Sequence, residues 1–185
     1  MISGEKITLR ELRSSDSSSI NKWRNNLFNK IITQGFRGPV SMEIDEKWLN
    51  EVLGNEKLTD VYFGILLKGS DELMGIVQLN NIDYISGVST CGILIGDKSV
   101  RGKGIGVYAV RAVLFYAFFV LNLRKVITYI LGPNAAAFKV QEKIGKVYKE
   151  GCLKKHFYFN DEFVDLHIQS FFKEDFLFLK NEYSI

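Results

Sequence analysis

Cysteine, proline, histidine and tryptophan are scarce in this chain, with two of each among 185 residues. Cys91 and Cys152 cannot make the disulfide framework of a small secreted fold. His156 and His167 form no Cys/His cluster along the sequence, so the spacing offers no zinc site and no metal is expected. Pro39 and Pro133 stand alone, and no Pro/Ser/Gly tract divides the chain, so residues 1–185 read as a single domain. Neither charge sign dominates: 24 Lys and Arg against 21 Asp and Glu leave a net +3, too dispersed for a nucleic-acid surface. Long apolar runs are missing too. The stretch Ile105 to Leu121, interrupted by Arg111, is too short to span a membrane and reads as a buried helix. The opening MISGEKITLRELR is charged from residue 5 and lacks the apolar core of a secretion signal. A reducing, cytoplasmic location is expected, with neither membrane nor nucleic acid as partner.

What is present is an ordinary core composition, 46% hydrophobic and 24% charged. Alternation predicts a first strand over Ile7 to Glu11, and a helix over about 17 to 28 that starts at Asp16 and buries Ile20, Trp23, Leu27 and Phe28. Asn29 to Val40 reads as an exposed loop, and Met42 to Leu53 as a helix capped by Ser41. Val61 to Leu67 and Leu73 to Ile82 suggest a hairpin, with Val88 to Ile95 as the next strand. A strand over Lys125 to Ile130, a helix over Ala135 to Lys143 ended by Gly145, and strands over 146–158 and 163–172 complete the pattern. The order β-α-α-β-β-β-α-β-α-β-β describes a mixed sheet, α+β leaning to α/β. The aromatic tail Phe171 to Tyr183 fits either a helix over an edge strand or a contact in a homodimer.

The most informative stretch is Arg101-Gly102-Lys103-Gly104-Ile105-Gly106, between the strand ending at Ile95 and the long apolar helix. Three alternate glycines admit positive φ and close approach of a ligand to the backbone. Free N–H groups at the positive end of the following helix suit a pyrophosphate, and Arg101 and Lys103 add charge. A dinucleotide turn would need a glycine at Val107, and no Walker A string is present. A glycine turn without any ligand is the plainer alternative.

This loop resembles the [RQ]-x-x-G-x-[GA] acyl-coenzyme A loop of the GNAT superfamily of N-acetyltransferases. Asn134-Ala135-Ala136-Ala137-Phe138, followed by Glu142-Lys143-Ile144-Gly145, resembles the second motif of that family. The opening ITLRELR with Trp23-Arg24-Asn25-Asn26, and the ending around Lys155 to Asp165, resemble the branch of ribosomal-protein, spermidine and amino-sugar acetyltransferases. The resemblance implies an α+β (α/β) fold, with a mixed and mostly antiparallel twisted sheet of about six or seven strands flanked by about four helices. It implies acetyl-CoA as cofactor, with Gly102, Lys103, Gly104, Ile105 and Gly106 around the pyrophosphate beside Arg101. Ile93, Leu94 and Ile95 would pair with the pantetheine amides, Asn134 would bond the same arm, and Lys143 would lie near the nucleotide. The Leu94 N–H would stabilise the developing oxyanion, worth about 3 kcal/mol if well placed.

Two positions depart from the family pattern. Gln141 stands where a tyrosine often protonates the leaving thiolate, and Thr90 stands where a glutamate often receives the amine's proton. Lys146 also replaces a phenylalanine after Gly145. Without a base, an amine that is already partly neutral is the expected acceptor: at pH 7.4 roughly a quarter of an α-amine is neutral, against about 0.1% of a lysine-like amine. His156 has the chemistry of a replacement base, and Tyr148 and Tyr158 are alternatives, each with a structural reading beside the catalytic one. Gln34, Phe36 and Arg37, in the loop between the first two helices, are the candidate acceptor contacts. The expected reaction is direct attack of a primary amine on acetyl-CoA. A nucleotide-linked amino sugar comes first as acceptor, a protein N-terminus second, and a polyamine or aminoglycoside third. A catalytically decayed acyl-CoA-binding module is the rival from another class.

Overall fold

Strands rich in β-branched and aromatic residues build the sheet, and their alternation decides which side each helix covers. The computed structural model describes residues 1–35, 37–54 and 58–184. Its strands are β1 (Ile2–Ser3), β2 (Ile7–Arg10), β3 (Val61–Leu67), β4 (Gly75–Asp83), β5 (Val88–Ile95), β6 (Lys125–Leu131), β7 (Tyr148–Phe159) and β8 (Glu162–Phe172). They form one sheet in the order β1-β2-β3-β4-β5-β6-β8-β7. Every neighbouring pair is antiparallel except β5–β6. The helices are α1 (Ser17–Arg24), α2 (Leu27–Ile32), α3 (Met42–Leu53), α4 (Ile105–Phe115), α5 (Ala135–Ile144) and α6 (Leu179–Glu182), with a π-helical turn Tyr116–Val120 prolonging α4. Parallel strands need a crossover, and α4 supplies it between β5 and β6.

Two apolar layers hold the sheet. On one side α4, apolar on almost every face, and the π-helical turn after it pack Ala109, Val113 and Phe118 with Ile7, Val77, Leu79, Phe171 and Phe176. On the other side Ile20 and Trp23 of α1 and Leu49 of α3 meet Leu12, Leu73 and Ile76. Each of the Val, Leu, Ile and Phe side chains among them contributes roughly 1.5–3 kcal/mol on burial.

The hairpin β3–β4, strand β5, the parallel β5–β6 unit, the Ser41 cap, the Gly145 stop and the closing hairpin agree with the sequence reading. Asn160 and Asp161 both take positive φ, 47° and 63°, as a tight two-residue hairpin turn demands. The single helix expected over 17–28 is instead two. Asn26 is extended and its side chain accepts from the Asn29 N–H, starting α2 afresh, while the Asn25 amide bonds the Val40 carbonyl. Leu27 and Phe28 therefore lie exposed, and the loop begins only after Ile32. Asp16 precedes α1, but its carboxylate does not cap that helix; it takes the two terminal Arg10 guanidinium nitrogens at 2.8 and 2.9 Å and the Arg13 N–H. The short β1, which bridges to Ser184, had no periodic signal in so few residues. The tail folds onto its own chain: Phe176, Leu179 and Tyr183 are buried, and the Tyr183 hydroxyl donates to the Tyr108 carbonyl at 2.9 Å.

Candidate active site

The parallel pairing of β5 with β6 is short. It joins Val88, Ser89 and Thr90 to Lys125, Val126 and Ile127 and then stops. From Cys91 to Ile95, β5 keeps β4 on one edge while β6 continues beside β8 alone. The two parallel strands thus splay, and the far edge of β5 is open. Alternation decides which amides face the opening. Gly75 pairs with Ile95, and the Gly96 N–H donates to the Met74 carbonyl one step beyond that pair. Leu94 and Ile76 are therefore the mutually bonded pair, and the Leu94 N–H is turned toward β4. This corrects the expectation for Leu94: the amides on the open edge are those of Ile93 and Ile95. The Ile95 carbonyl confirms the alternation by accepting from Arg101 Nε at 3.0 Å.

At the end of β5 the chain turns into the glycine loop. Gly102 and Gly104 take φ of 78° and 81°, and a Cβ at either would meet no atom within 4 Å. Both face open space, as a ligand cradle requires. Gly104 is also the N-cap of α4 and carries no capping side chain; the Val107 N–H turns back to the Gly104 carbonyl at 3.0 Å, and the Ile105 and Gly106 N–H groups have no loop partner among the described residues, at the positive end of the helix. Gly106 differs from the other two. Its Cβ would come 3.3 Å from Val140 Cγ2, so its smallness serves the packing of α4 on α5. Lys103 is exposed beside the loop and Ile105 is buried beneath it. Arg101 is directed back onto the β5 end: besides Ile95 it bonds Asn29 Oδ1 at 3.1 Å.

Asn134 caps α5, accepting the Ala137 N–H at 3.0 Å, which leaves its Nδ2 donor without a partner among the described residues. Lys143 is exposed near the other end of α5. Gln141 is buried, and with Phe138 it lines a cavity of about 780 Å³ over β7 and β8, whose walls include no residue of β5 or of the glycine loop. The structure therefore does not bring Gln141 to the opened edge of β5.

On the α3 side of the sheet, Thr90 Oγ1 donates to the Asn80 carbonyl at 3.1 Å, and the Asn80 amide donates to the Tyr62 hydroxyl at 3.0 Å. Burial raises the Tyr62 phenol above its ordinary range, so it stays neutral. Gly92 faces Gln78, with its virtual Cβ 3.1 Å from Nε2. Among the described residues of this row none is a carboxylate or an imidazole.

Of the acceptor candidates, Gln34 follows α2 with φ of 58°, and Phe36 lies outside the described residues. Arg37 reaches the closing hairpin: it donates to the Tyr158 carbonyl and lies over the Phe157 ring at 5.0 Å. His156 is exposed on the bulged stretch of β7. The Tyr158 hydroxyl holds Asp161 at the turn, and Tyr148 donates to Asp175, so both phenols serve the frame. Burial pushes the Cys91 thiol up to about 12, which disfavours the thiolate and with it a nucleophilic role.

Two contacts escaped the sequence reading. Asn29 donates to the Trp23 carbonyl while accepting Arg101, tying α2 to the glycine loop. Folding also brings Cys152, Asp165 and His167 together from adjacent strands, a cluster that linear spacing could not reveal.

The acetyltransferase (GNAT) domain profile matches residues 6–147. The chain belongs to the GNAT acetyltransferase family. Among its relatives, a spermidine N(1)-acetyltransferase of Vibrio cholerae is 28% identical over 163 residues, covering 87% of this chain and 90% of that protein. A ribosomal-protein-serine acetyltransferase of Escherichia coli is 24% identical over 139 residues, covering 74% of this chain and 76% of the relative. In fold, a crystal structure of the Vibrio cholerae spermidine N-acetyltransferase, in complex with CoA and spermine, superposes with a TM-score of 0.84 at 24% identity. It covers 92% of this chain and 98% of that one. This GNAT protein is an acetyl-CoA-dependent N-acetyltransferase, and no helix among its described residues is long and apolar enough to cross a membrane.

Proposed function

We propose that this GNAT enzyme acetylates a weakly basic primary amine, with a nucleotide-linked amino sugar as first choice and a protein N-terminus second. The amine attacks the thioester carbonyl directly. Its electron pair forms the C–N bond, the C–S bond breaks, coenzyme A leaves as thiolate, and the proton released from the amine nitrogen passes to that thiolate or to water. In this reading the N–H groups at the start of α4, with Gly102 and Gly104, hold the pyrophosphate, assisted by Lys103. The open edge of β5 pairs with the pantetheine arm, and Asn134 Nδ2 donates to it. The N–H of Ile93 or Ile95 takes the oxyanion role expected of Leu94.

A single observation carries the choice of acceptor. Thr90 spends its hydroxyl hydrogen on the Asn80 carbonyl, and Asn80, Gln78 and Gly92 beside it accept no proton near neutral pH. With no base in that row, an amine that arrives already neutral is favoured, which points to an acceptor with pKa near 8 over one above 10. Arg37, at the rim between α2 and the closing hairpin, supplies a guanidinium for an anionic acceptor.

A polyamine is the second reading. It is favoured by the 28% identical spermidine acetyltransferase and by a cavity of about 430 Å³ walled by Glu11, Glu51, Asp60, Trp48 and Tyr62. Such a mixture of carboxylates and aromatic rings suits an extended cation. The test is thiol release from acetyl-CoA across a graded set of amines at pH 7.4. The first reading expects amino sugars and α-amines to exceed spermidine in kcat/KM by at least tenfold; the reverse order establishes the polyamine.

A further inference from the structure

We propose that the β7–β8 hairpin carries a zinc site formed by Cys152, Asp165 and His167. Cys152 and His167 are direct partners across the two antiparallel strands, and Asp165 stands two residues before His167 on the same face. Their ligand atoms all lie within 4.8 Å of one another. Zinc bonds of about 2.0–2.3 Å in a tetrahedron put ligand atoms roughly 3.5 Å apart, so closing the set takes side-chain movements on the order of 1 Å. Thiolate, imidazole and carboxylate together suit a borderline divalent ion such as zinc better than a hard oxygen-seeking one.

The Asp165 carboxylate is oriented by the hairpin itself. The Asp165 Oδ1 atom accepts the Lys155 N–H at 2.9 Å, which holds the carboxylate with Oδ2 toward Cys152 Sγ, 3.6 Å away. Oδ2 also accepts from Lys154, whose side chain is largely exposed and can swing into water at small cost. The His167 ring is set edge-on against Phe138, 5.3 Å between centroids.

A second observation independently points to a ligand here. Cys152 and His167 open onto the cavity over β7 and β8, which also receives Gln141 and Gln169. Both glutamines are more than nine-tenths buried, and the Oε1 of each has no hydrogen-bond partner among the described residues. Buried amide oxygens without donors are costly. A three-ligand zinc ion keeps an open fourth position whose water is a strong donor, and the cavity lined by Cys152 and His167 is the one lined by both amides.

The full-length chain, stripped with EDTA and titrated with zinc against a chromophoric chelator, tests the assignment. One zinc per chain is expected, with Cys152→Ser and His167→Ala each binding at least tenfold more weakly and Cys91→Ser and His156→Ala binding as the parent does. Cobalt in place of zinc should give a thiolate-to-metal charge-transfer band that Cys152→Ser abolishes. Cys152→Ser is close to isosteric, and a parental circular-dichroism spectrum verifies its fold. Substoichiometric binding, undiminished binding in folded Cys152→Ser, or a cobalt spectrum without the thiolate band would each overturn the proposal. None of these readouts depends on acetyl transfer.

Discussion

The Trp23 indole lies flat against Gly96, so closely that a Cβ at residue 96 would stand 1.9 Å from Trp23 Cδ2. This contact seats α1 on the end of β5, one residue past the open edge and five before Arg101. Gly96→Ala must push the indole away. The expected cost is at least about 1–3 kcal/mol, the usual range for an overpacked core. Thermal unfolding of the variant checks it, and an unchanged Tm would show that α1 is not held there.

The loop glycines should divide into two groups. Gly102→Ala and Gly104→Ala put a side chain at positive φ, straining the backbone by roughly 1–2 kcal/mol each, and intrude on the open cradle. Both should weaken coenzyme A binding tenfold or more in calorimetry. Gly106→Ala meets only Val140, so it should change affinity less than either.

The buried pair Arg10–Asp16 makes a sharper stability prediction. Both side chains are about nineteen-twentieths hidden, and their bond draws Arg10 above its ordinary range. Asp16→Ala leaves a buried guanidinium unpaired and should cost about 3–5 kcal/mol, whereas the double change Arg10→Met with Asp16→Leu should cost less than the single one. Denaturant unfolding of the three proteins decides the order.

Strong alternation made β3, β4, β5 and the closing hairpin legible, because each strand buries one face against a continuous core. The first helix misled because Ile20, Trp23, Leu27 and Phe28 share a helical spacing across Asn25-Asn26, whose side chains break the helix by bonding backbone groups. Within the site, the glycine loop and Asn134 stood out because backbone geometry demands particular residues. The orientation of the Leu94 amide did not, since it depends on register with β4. Nor did the seat of Gln141 over β8, which requires the tertiary course of α5.

Cys91 offers a chemical check on burial. Its thiol is pushed up to about 12 by desolvation, against roughly 8.5 for a free cysteine. A group held protonated in the folded state stabilises fully below the unfolded value, and that contribution fades as pH rises from there through the folded one. Stability should therefore decline above about pH 8.5, less steeply in Cys91→Ala. At pH 8, iodoacetamide should modify Cys152 in the folded, metal-stripped protein and spare Cys91, as peptide mass mapping would show.

Arg37 joins the α2–α3 loop to the Tyr158 carbonyl from an exposed position. Arg37→Ala should raise KM for the amine several-fold while KM for acetyl-CoA and the Tm stay near parental values. Equal rises in both constants would assign Arg37 to the frame instead.

Calorimetric titration of the full chain with coenzyme A, beside the Gly104→Ala variant, tests most directly whether the splayed strand and the start of α4 form the donor site. One carrier should bind per chain, at least tenfold more weakly in the variant, with no comparable heat from ATP or NAD. Binding of ATP or NAD in preference to coenzyme A, or parental affinity in a folded Gly104→Ala protein, would contradict it.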